Sequence, residues 1–516
     1  MAAAWPERGF LPLIFAAWVP FLLLEDHISR NKSFFSRGAV VLYSYPGFLV
    51  WNLLTTWWVI NSTTVGAILA FVLNALFMAL VFGLFHTVKN YVFREKSGFI
   101  ALTALWFSYE YLHMSWDLTW SWLNLGNVFA THPQWVQWYE FTGNFGGDLW
   151  IFAVNFVLFS IIKQYLNKGQ NKKAVYFKTA ILILFIVIPL TYSYRLYNNY
   201  EQKGEFAEVV VVQPDIDPYE EEFSTPLPLL LNNMLTIART ATDEKTEMVF
   251  FPETAIPHTI YESDFRLTYA YDSLRRFQSE YGNKPAVVIG LSTRKIFLPG
   301  EKPDVAARRL SSGELYASYN TAGFITPSGE TDFYHKAKLV PGVERMPFPR
   351  LLKPLENLAI DLGGTSGSLG TSSERKVFNN GRIKAGTIIC YESIYGEFVT
   401  GYVKKGANLL AVITNDGWWG DSPGYHQHFQ YARLRAIETR RDIARAANTG
   451  ISGFINQRGD VISKTSYETP AAVKGRVRLN EEVTVYVKYG DFLARIALFV
   501  STLLILISIS LKLRRK

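Results

Sequence analysis

A chain of 516 residues is too long for one ordinary core, and its formal charge of +8 comes from basic residues beside apolar segments, not from an aromatic-interleaved groove, which argues against a nucleic-acid partner. The single cysteine, Cys390, excludes an intrachain disulfide, a CxxC pair and a multi-cysteine zinc site, so the fold must be held by its core. Long apolar segments occupy the first 200 residues and the last 25, while 206–488 has the charged residues, turns and short apolar runs of a globular domain. This division predicts an N-terminal membrane part over 1–200 with about six helices, a soluble domain over 206–488, and a final membrane helix with a basic tail over 490–516.

Seven segments are expected to be membrane helices: 9–24, 39–61, 64–87, 98–115, 148–166, 175–194 and 490–511. Val65 to Phe85 contains no charged residue, whereas the first segment and the apolar run Leu149 to Ile162 are short enough to suit a tilted or interfacial helix. Arg8 is the only positive charge at the start and no small-residue cleavage site follows, which is a poor match to a signal peptide. Basic residues cluster in four places: Arg30, Lys32 and Arg37; Lys89, Arg94 and Lys96; Lys168, Lys172 and Lys173; and Lys512, Arg514, Arg515 and Lys516. In a seven-span chain all four fall on one side, and the opposite loop from Trp116 to Gly147 has neither Lys nor Arg. The positive-inside rule then puts the tail in the cytoplasm and 206–488 outside the inner membrane. Glu110, inside the fourth segment, is either a structural or a functional intramembrane carboxylate. Trp116, Trp120, Trp122, Trp135 and Trp138 make the loop after it a candidate lining for a lipid entrance.

In the soluble region, strands are expected at Glu208 to Val212, Met248 to Phe251, Ala286 to Leu291, Ala322 to Thr326, Thr387 to Ile389 and Leu409 to Thr414. Pro327-Ser328-Gly329 signals a hairpin after the fourth, and His426 to Arg445 reads as an amphipathic, Arg-rich helix. Apolar strands that need cover on both faces imply a layered α/β fold. Three motifs stand at strand ends: FFPETAIP carries Glu253, YHKAKLVPGVERMPF carries Lys336, and GTIICYES carries Cys390 at a strand-to-helix turn. Such a turn exposes a nucleophile and aims backbone N–H groups at it, an environment expected to favour the thiolate. Each residue alone has an ordinary explanation: a buried small hydrophobe for Cys390, a helix cap for Glu253, a surface charge for Lys336. Their combination, in the order Glu, Lys, Cys, outweighs these.

Together these motifs resemble the nitrilase, or carbon-nitrogen hydrolase, superfamily and within it the apolipoprotein N-acyltransferases of the bacterial inner membrane. The likeness runs from about Trp5 to the last membrane segment and rests on VVQPDI (211–216), FPETAIP (251–257), YHKAKLVPGVE (334–344), ICYES (389–393), NDGWWG (415–420), RAANTGISG (445–453) and YGD (489–491). Membrane helices at both ends select the acyltransferase branch. The resemblance implies a polytopic α-helical membrane domain joined to an αββα four-layer nitrilase-like sandwich. It also implies that Glu253 is the general base, Lys336 (not Lys338) the oxyanion-stabilising cation and Cys390 the acyl carrier. Glu344, Tyr391, Glu392 and Trp418 fall on positions the family uses to support the site or bind substrate; packing is an equal reading of Trp418 and Trp419. Two departures stand out. The family usually has one more membrane helix before the segment beginning at Trp5, and VPGVERMP replaces VPFGEYVP, which alters the loop carrying Glu344.

Family resemblance further implies a glycerophospholipid as acyl donor, the N-terminal amine of a diacylglyceryl-cysteine apolipoprotein as acceptor, a thioester on Cys390, a multi-pass protein with its catalytic domain periplasmic, and no metal or organic cofactor. The alternatives are a membrane-tethered amidase or nitrilase-type hydrolase, in which water takes the acyl group, and a binding or scaffold protein on the same fold.

Overall fold

Residues 1–94, 96–166, 171–348 and 368–514 are described in a computed structural model. Lys168, Arg515 and Lys516, three of the basic residues that orient the chain, lie outside the described residues. Two units are present: Met1–Ile60, Thr64–Tyr200 and Tyr489–Lys516 form the first, Asn61–Thr63 and Glu201–Lys488 the second.

In the first unit a helix stands at each of the seven apolar segments. Five are long and apolar enough to cross a membrane: Leu11–Arg30, Thr64–Phe93, Phe145–Leu166, Lys172–Asn199 and Phe492–Leu513. The segments at 9–24 and 148–166, short by sequence, therefore meet the length of a span. Those at 39–61 and 98–115 do not reach the same measure. Ala39–Thr56 carries Ser44, Asn52, Thr55 and Thr56 on its buried side, and Phe99–His113 is only 15 residues, roughly 22 Å of helix. Interhelical hydrogen bonds satisfy polar groups here: Asn74 Nδ2 donates to Asn52 Oδ1 at 2.7 Å, and Tyr109 Oη donates to Asn74 Oδ1 at 2.7 Å. Glu110 Oε1 accepts from Trp106 Nε1 at 2.8 Å and from the Leu125 N–H at 3.1 Å, so it brackets its helix to the following loop. That loop is not an open aromatic surface throughout. Trp122 and Trp138 are buried, Trp122 against Trp58 at 4.8 Å between ring centroids, while Trp116 stays exposed.

The second unit contains the strands β1 (Glu205–Gln213), β2 (Met248–Phe250), β3 (Ile256–Tyr261), β4 (Ala286–Ile296), β5 (Arg308–Arg309), β6 (Leu315–Ile325), β7 (Thr331–His335), β8 (Val377–Asn379), β9 (Lys384–Ile389), β10 (Leu409–Thr414), β11 (Ile443–Ala447), β12 (Gly453–Ile455), β13 (Val461–Lys464) and β14 (Ala471–Leu479). One sheet runs β14-β1-β2-β4-β6-β5, with β3 also on β4 and β7 on β6; the other runs β13-β12-β11-β10-β9-β8. The sheets pack face to face, Phe324 of β6 stacking on Phe378 of β8 at 4.9 Å. Helices Leu227–Arg239 and Tyr269–Ser279 lay Leu231, Met234, Leu274 and Phe277 on Val210, Val249 and Ile289 of the first sheet. Gly396–Lys404 and Pro423–Thr439 cover the second sheet, completing four layers, helix, sheet, sheet, helix.

Strand β10, LLAVIT, is buried along its whole length between parallel β9 and β11, which is why it reads as an unbroken apolar run. Pairing of Ile389 with Ile413 aligns the C-terminal ends of β9 and β10, so Cys390 emerges beside Thr414, one residue before Asn415. Residues 327–329 do turn the β6–β7 hairpin, with Gly329 at φ 94°. The expected helix over 426–445 needs correcting: it spans Pro423–Thr439, ends at Arg440 with φ 49°, and 443–447 is strand β11. Nor is it amphipathic, since most of its residues are buried. Arg435 is buried and paired with Glu438 at 2.6 Å, and Arg445 is buried in β11.

Candidate active site

Glu253 follows β2 in a turn that crosses β4 at Gly290, where a Cβ would lie 2.4 Å from the Pro252 carbonyl and 2.6 Å from Glu253 Cα, so only glycine admits the crossing. Lys336 follows β7, and its backbone N–H donates to the Asn320 carbonyl of β6 at 2.8 Å. Cys390 follows β9 at φ 48°, a left-handed conformation that costs a cysteine about 1–3 kcal/mol, and begins the short 3-10 turn Cys390–Ile394.

Three elements thus bring together three side chains far apart in sequence. Lys336 Nζ donates to Glu253 Oε1 at 2.9 Å and to Glu344 Oε1 at 2.9 Å. Asn320 Nδ2 donates to the same two oxygens at 2.7 and 2.9 Å, and the Asn415 N–H donates to Glu253 Oε2 at 3.0 Å. The altered loop still delivers Glu344: Gly342 turns at φ 80°, and the Val340 N–H donates to Glu344 Oε2 at 2.8 Å. Lys336 is 1% exposed and reaches both Glu253 and Glu344, whereas Lys338 lies over the Tyr395 ring.

Burial alone would drive the Lys336 ammonium to lose its proton, but Glu253 and Glu344 outweigh it and hold its pKa well above the ordinary lysine value. Burial pushes the Cys390 thiol well up; Glu253 adds to this, and Lys336 opposes it. A resting thiolate is therefore not favoured as the sequence suggested, because burial and the Glu253 charge oppose its formation more than Lys336 supports it. Glu222, near Glu253 and accepting from Asn415 Nδ2 at 3.0 Å, is raised to about 8 by burial and by the Glu253 charge.

Glu392 is buried and ties the lysine arm to the cysteine strand. Its Oε1 accepts from Tyr334 Oη at 2.7 Å and the Ala337 N–H at 2.7 Å; its Oε2 accepts from the Ile389 N–H at 2.8 Å and Tyr402 Oη at 3.1 Å. Tyr391 is buried with its ring edge-on to Tyr395 at 5.3 Å. Trp418 is half-buried beside Tyr219 at 5.1 Å, three residues from Asn415, and Trp419 packs on His428 at 5.5 Å. Asn320, Asn415 and Glu222 were missed by sequence reasoning. An asparagine within the apolar strand β6 was the one available signal for Asn320, and NDGWWG contained Asn415 without marking its role. Among the described residues no group of three or more His, Cys, Asp or Glu side chains is gathered to hold a metal ion.

A buried lysine between two carboxylates, facing a cysteine on a strained strand-to-helix turn of a four-layer sandwich, defines a class, and residues 209–482 match the carbon-nitrogen hydrolase family. Residues 1–157 match the apolipoprotein N-acyltransferase N-terminal domain. The apolipoprotein N-acyltransferase of Chlorobaculum tepidum is 30% identical over 98% of this chain and 93% of its own length, and that of Geobacter metallireducens 27% identical over 96% and 90%. An amidase from Nesterenkonia sp. aligns in structure over 57% of this chain and 97% of its own, with 16% identity and a TM-score of 0.37. The chain belongs to the apolipoprotein N-acyltransferase family, and it is an acyltransferase of bacterial membranes built on a nitrilase-like domain.

Proposed function

We propose that the protein transfers a fatty acyl chain from a glycerophospholipid, through a thioester on Cys390, to the N-terminal amine of a diacylglyceryl-cysteine apolipoprotein. The observation that carries this reading is Lys336 Nζ fixed at 2.9 Å from both Glu253 and Glu344, close to Cys390, whose thiol burial pushes well above its ordinary pKa. A protonated thiol needs a base, and Glu253 is the carboxylate at hand. Glu253 takes the thiol proton as the sulfur attacks the ester carbonyl carbon. Lys336 and a backbone N–H hold the oxyanion that forms. The ester C–O bond then breaks, Glu253 returns the proton to the departing oxygen, and a lysophospholipid leaves. In the second half the amine attacks the thioester carbon, Glu253 accepts an amine proton, the C–S bond breaks, and the proton returns to sulfur. Glu253, Lys336 and Cys390 account for every proton and electron pair, so the scheme calls on no cofactor.

Glu344 and Glu392 support the site by the hydrogen bonds described, Tyr391 follows the nucleophile, and Trp418 is assigned to lipid contact at the rim. Basic residues grouped at 30–37, 89–96, 172–173 and 512–514 support a multi-pass inner-membrane protein whose 206–488 domain is periplasmic. The test supplies the purified protein with a phospholipid labelled in one acyl chain and a diacylated lipopeptide. Labelled N-acyl lipopeptide and lysophospholipid in equal amounts are expected, and neither from Cys390→Ala. N-acylation by Cys390→Ala would remove Cys390 from the scheme.

A further inference from the structure

Behind Cys390 lies a second cluster of buried polar groups that the scheme above does not use. His428, on the helix Pro423–Thr439, has Nδ1 2.9 Å from Asp416 Oδ1 and Nε2 2.8 Å from Ser393 Oγ. Asp416 also accepts from Arg445 Nη2 at 2.5 Å and from Thr414 Oγ1 at 2.8 Å. Ser393, Thr414, Asp416, His428 and Arg445 are all 0% exposed. The connectivity is that of a Ser-His-Asp triad, yet a hydroxyl with no accessible surface meets no substrate carbonyl, so this is not a second nucleophile.

What the cluster does touch is the backbone of Cys390. Ser393 Oγ donates to the Cys390 carbonyl at 2.7 Å, and His428 Nε2 lies 3.2 Å from the same oxygen. The peptide after a cysteine at φ 48° needs such an anchor, because the conformation is intrinsically unfavourable. In a trans peptide the carbonyl and the following N–H point in opposite directions. Holding the Cys390 carbonyl into the core therefore aims the Tyr391 N–H the other way, as required of an oxyanion donor in the residue after the nucleophile.

We propose that Ser393 and His428, with Asp416 and Arg445 bracing the imidazole, are positioning residues that lock the Cys390–Tyr391 peptide so that its N–H acts beside Lys336 on the oxyanion. This rests on the acyl-enzyme reading above. The bracing is built to be rigid: Asp416 receives Arg445 on one oxygen and Thr414 on the other, and Arg445 Nε donates to the Ile451 carbonyl at 3.1 Å. Trp419 closes the edge of the His428 ring.

The test uses the full-length protein in lipid nanodiscs, as Ser393→Ala, His428→Ala and Cys390→Ala. Single-turnover acylation of Cys390 by phospholipid is followed by intact mass, with the KM for phospholipid and the pH profile of thiol alkylation measured alongside. Loss of an oxyanion donor lowers rates by roughly 10²–10³-fold, so His428→Ala is expected to acylate about 10²-fold more slowly and Ser393→Ala about tenfold. KM should stay within about threefold and the alkylation midpoint should not move, since positioning of the peptide leaves lipid binding and thiol ionisation alone. Acylation within about twofold of the parent in both variants overturns the proposal, as does a loss that follows KM or a shifted alkylation midpoint. Should His428→Ala not fold, Ser393→Ala, which removes a single hydroxyl, decides alone. Persistent N-acylation in Cys390→Ala sinks the acyl-enzyme reading itself; an inactive Cys390→Ala with unimpaired Ser393→Ala and His428→Ala sinks only the positioning role.

Discussion

Replacing Glu392 by glutamine keeps the side chain's shape and turns one of its two acceptor oxygens into a donor. The Tyr334 and Tyr402 hydroxyls can rotate to suit an amide, but the Ala337 and Ile389 N–H groups cannot, and they approach different oxygens, at 2.7 and 2.8 Å. Whichever end receives the NH2 group, one buried backbone donor then faces another donor. A buried N–H left without a partner costs about 1–3 kcal/mol, so Glu392→Gln should destabilise this joint by roughly 1–3 kcal/mol. Ala337 follows Lys336 and Ile389 precedes Cys390, so the damage falls on the spacing between cation and nucleophile. A displacement near 1 Å costs about 10²-fold in rate. Thermal unfolding in nanodiscs and single-turnover acylation of Cys390 measure the two effects. An unchanged melting temperature with acylation within about twofold of the parent would refute the idea that Glu392 joins the lysine arm to the cysteine strand.

Gly290→Ala places a methyl 2.4 Å from the Pro252 carbonyl and the Thr254 nitrogen, which must push the Glu253 turn off β4; a loss of about 10²-fold in acylation with retained membrane expression is expected, and rates within about threefold would deny that Gly290 sets the base. The Glu222 carboxyl, raised to about 8 in the fold, binds its proton more tightly folded than unfolded, so its contribution is complete below about pH 4.5 and is lost as pH rises towards 8. Stability should fall by up to roughly 1.4 kcal/mol per pH unit in that window. Glu222→Gln should flatten the dependence, and an unaltered slope in melting-against-pH curves would count against it. A membrane-impermeant thiol reagent applied to spheroplasts should label Cys390 slowly, since the residue is 7% exposed; labelling only after the membrane is broken would reverse the orientation.

Much of this site was legible because its residues stand at the ends of strands whose apolar runs are themselves legible. Glu253 and Cys390 each follow such a run, whereas Lys336 follows the mixed strand Thr331–His335 and was marked by its motif alone; in the fold its Nζ reaches Glu253 at 2.9 Å. What escaped was set by partners distant in the chain. Arg445 was read as part of the helix because nothing near it in sequence says that Asp416, 29 residues earlier, pairs with it in the core beside β11. Asn320 lies 67 residues from Glu253, and no periodicity links a strand asparagine to a carboxylate in another motif. The resting state of Cys390 was misread from its local turn, since burial and the Glu253 charge act through space.

The central claim, acyl transfer through Cys390, is tested most directly by the fate of its thioester. Phospholipid-loaded protein is freed of donor and followed by intact mass, with and without a diacylated lipopeptide bearing a free N-terminal amine. The account predicts an adduct on Cys390 that outlasts a catalytic cycle, disappears on addition of the free amine with matching N-acyl lipopeptide, and persists when that amine is acetylated. Decay to free fatty acid at one rate under all three conditions would contradict it and leave a lipid hydrolase in its place.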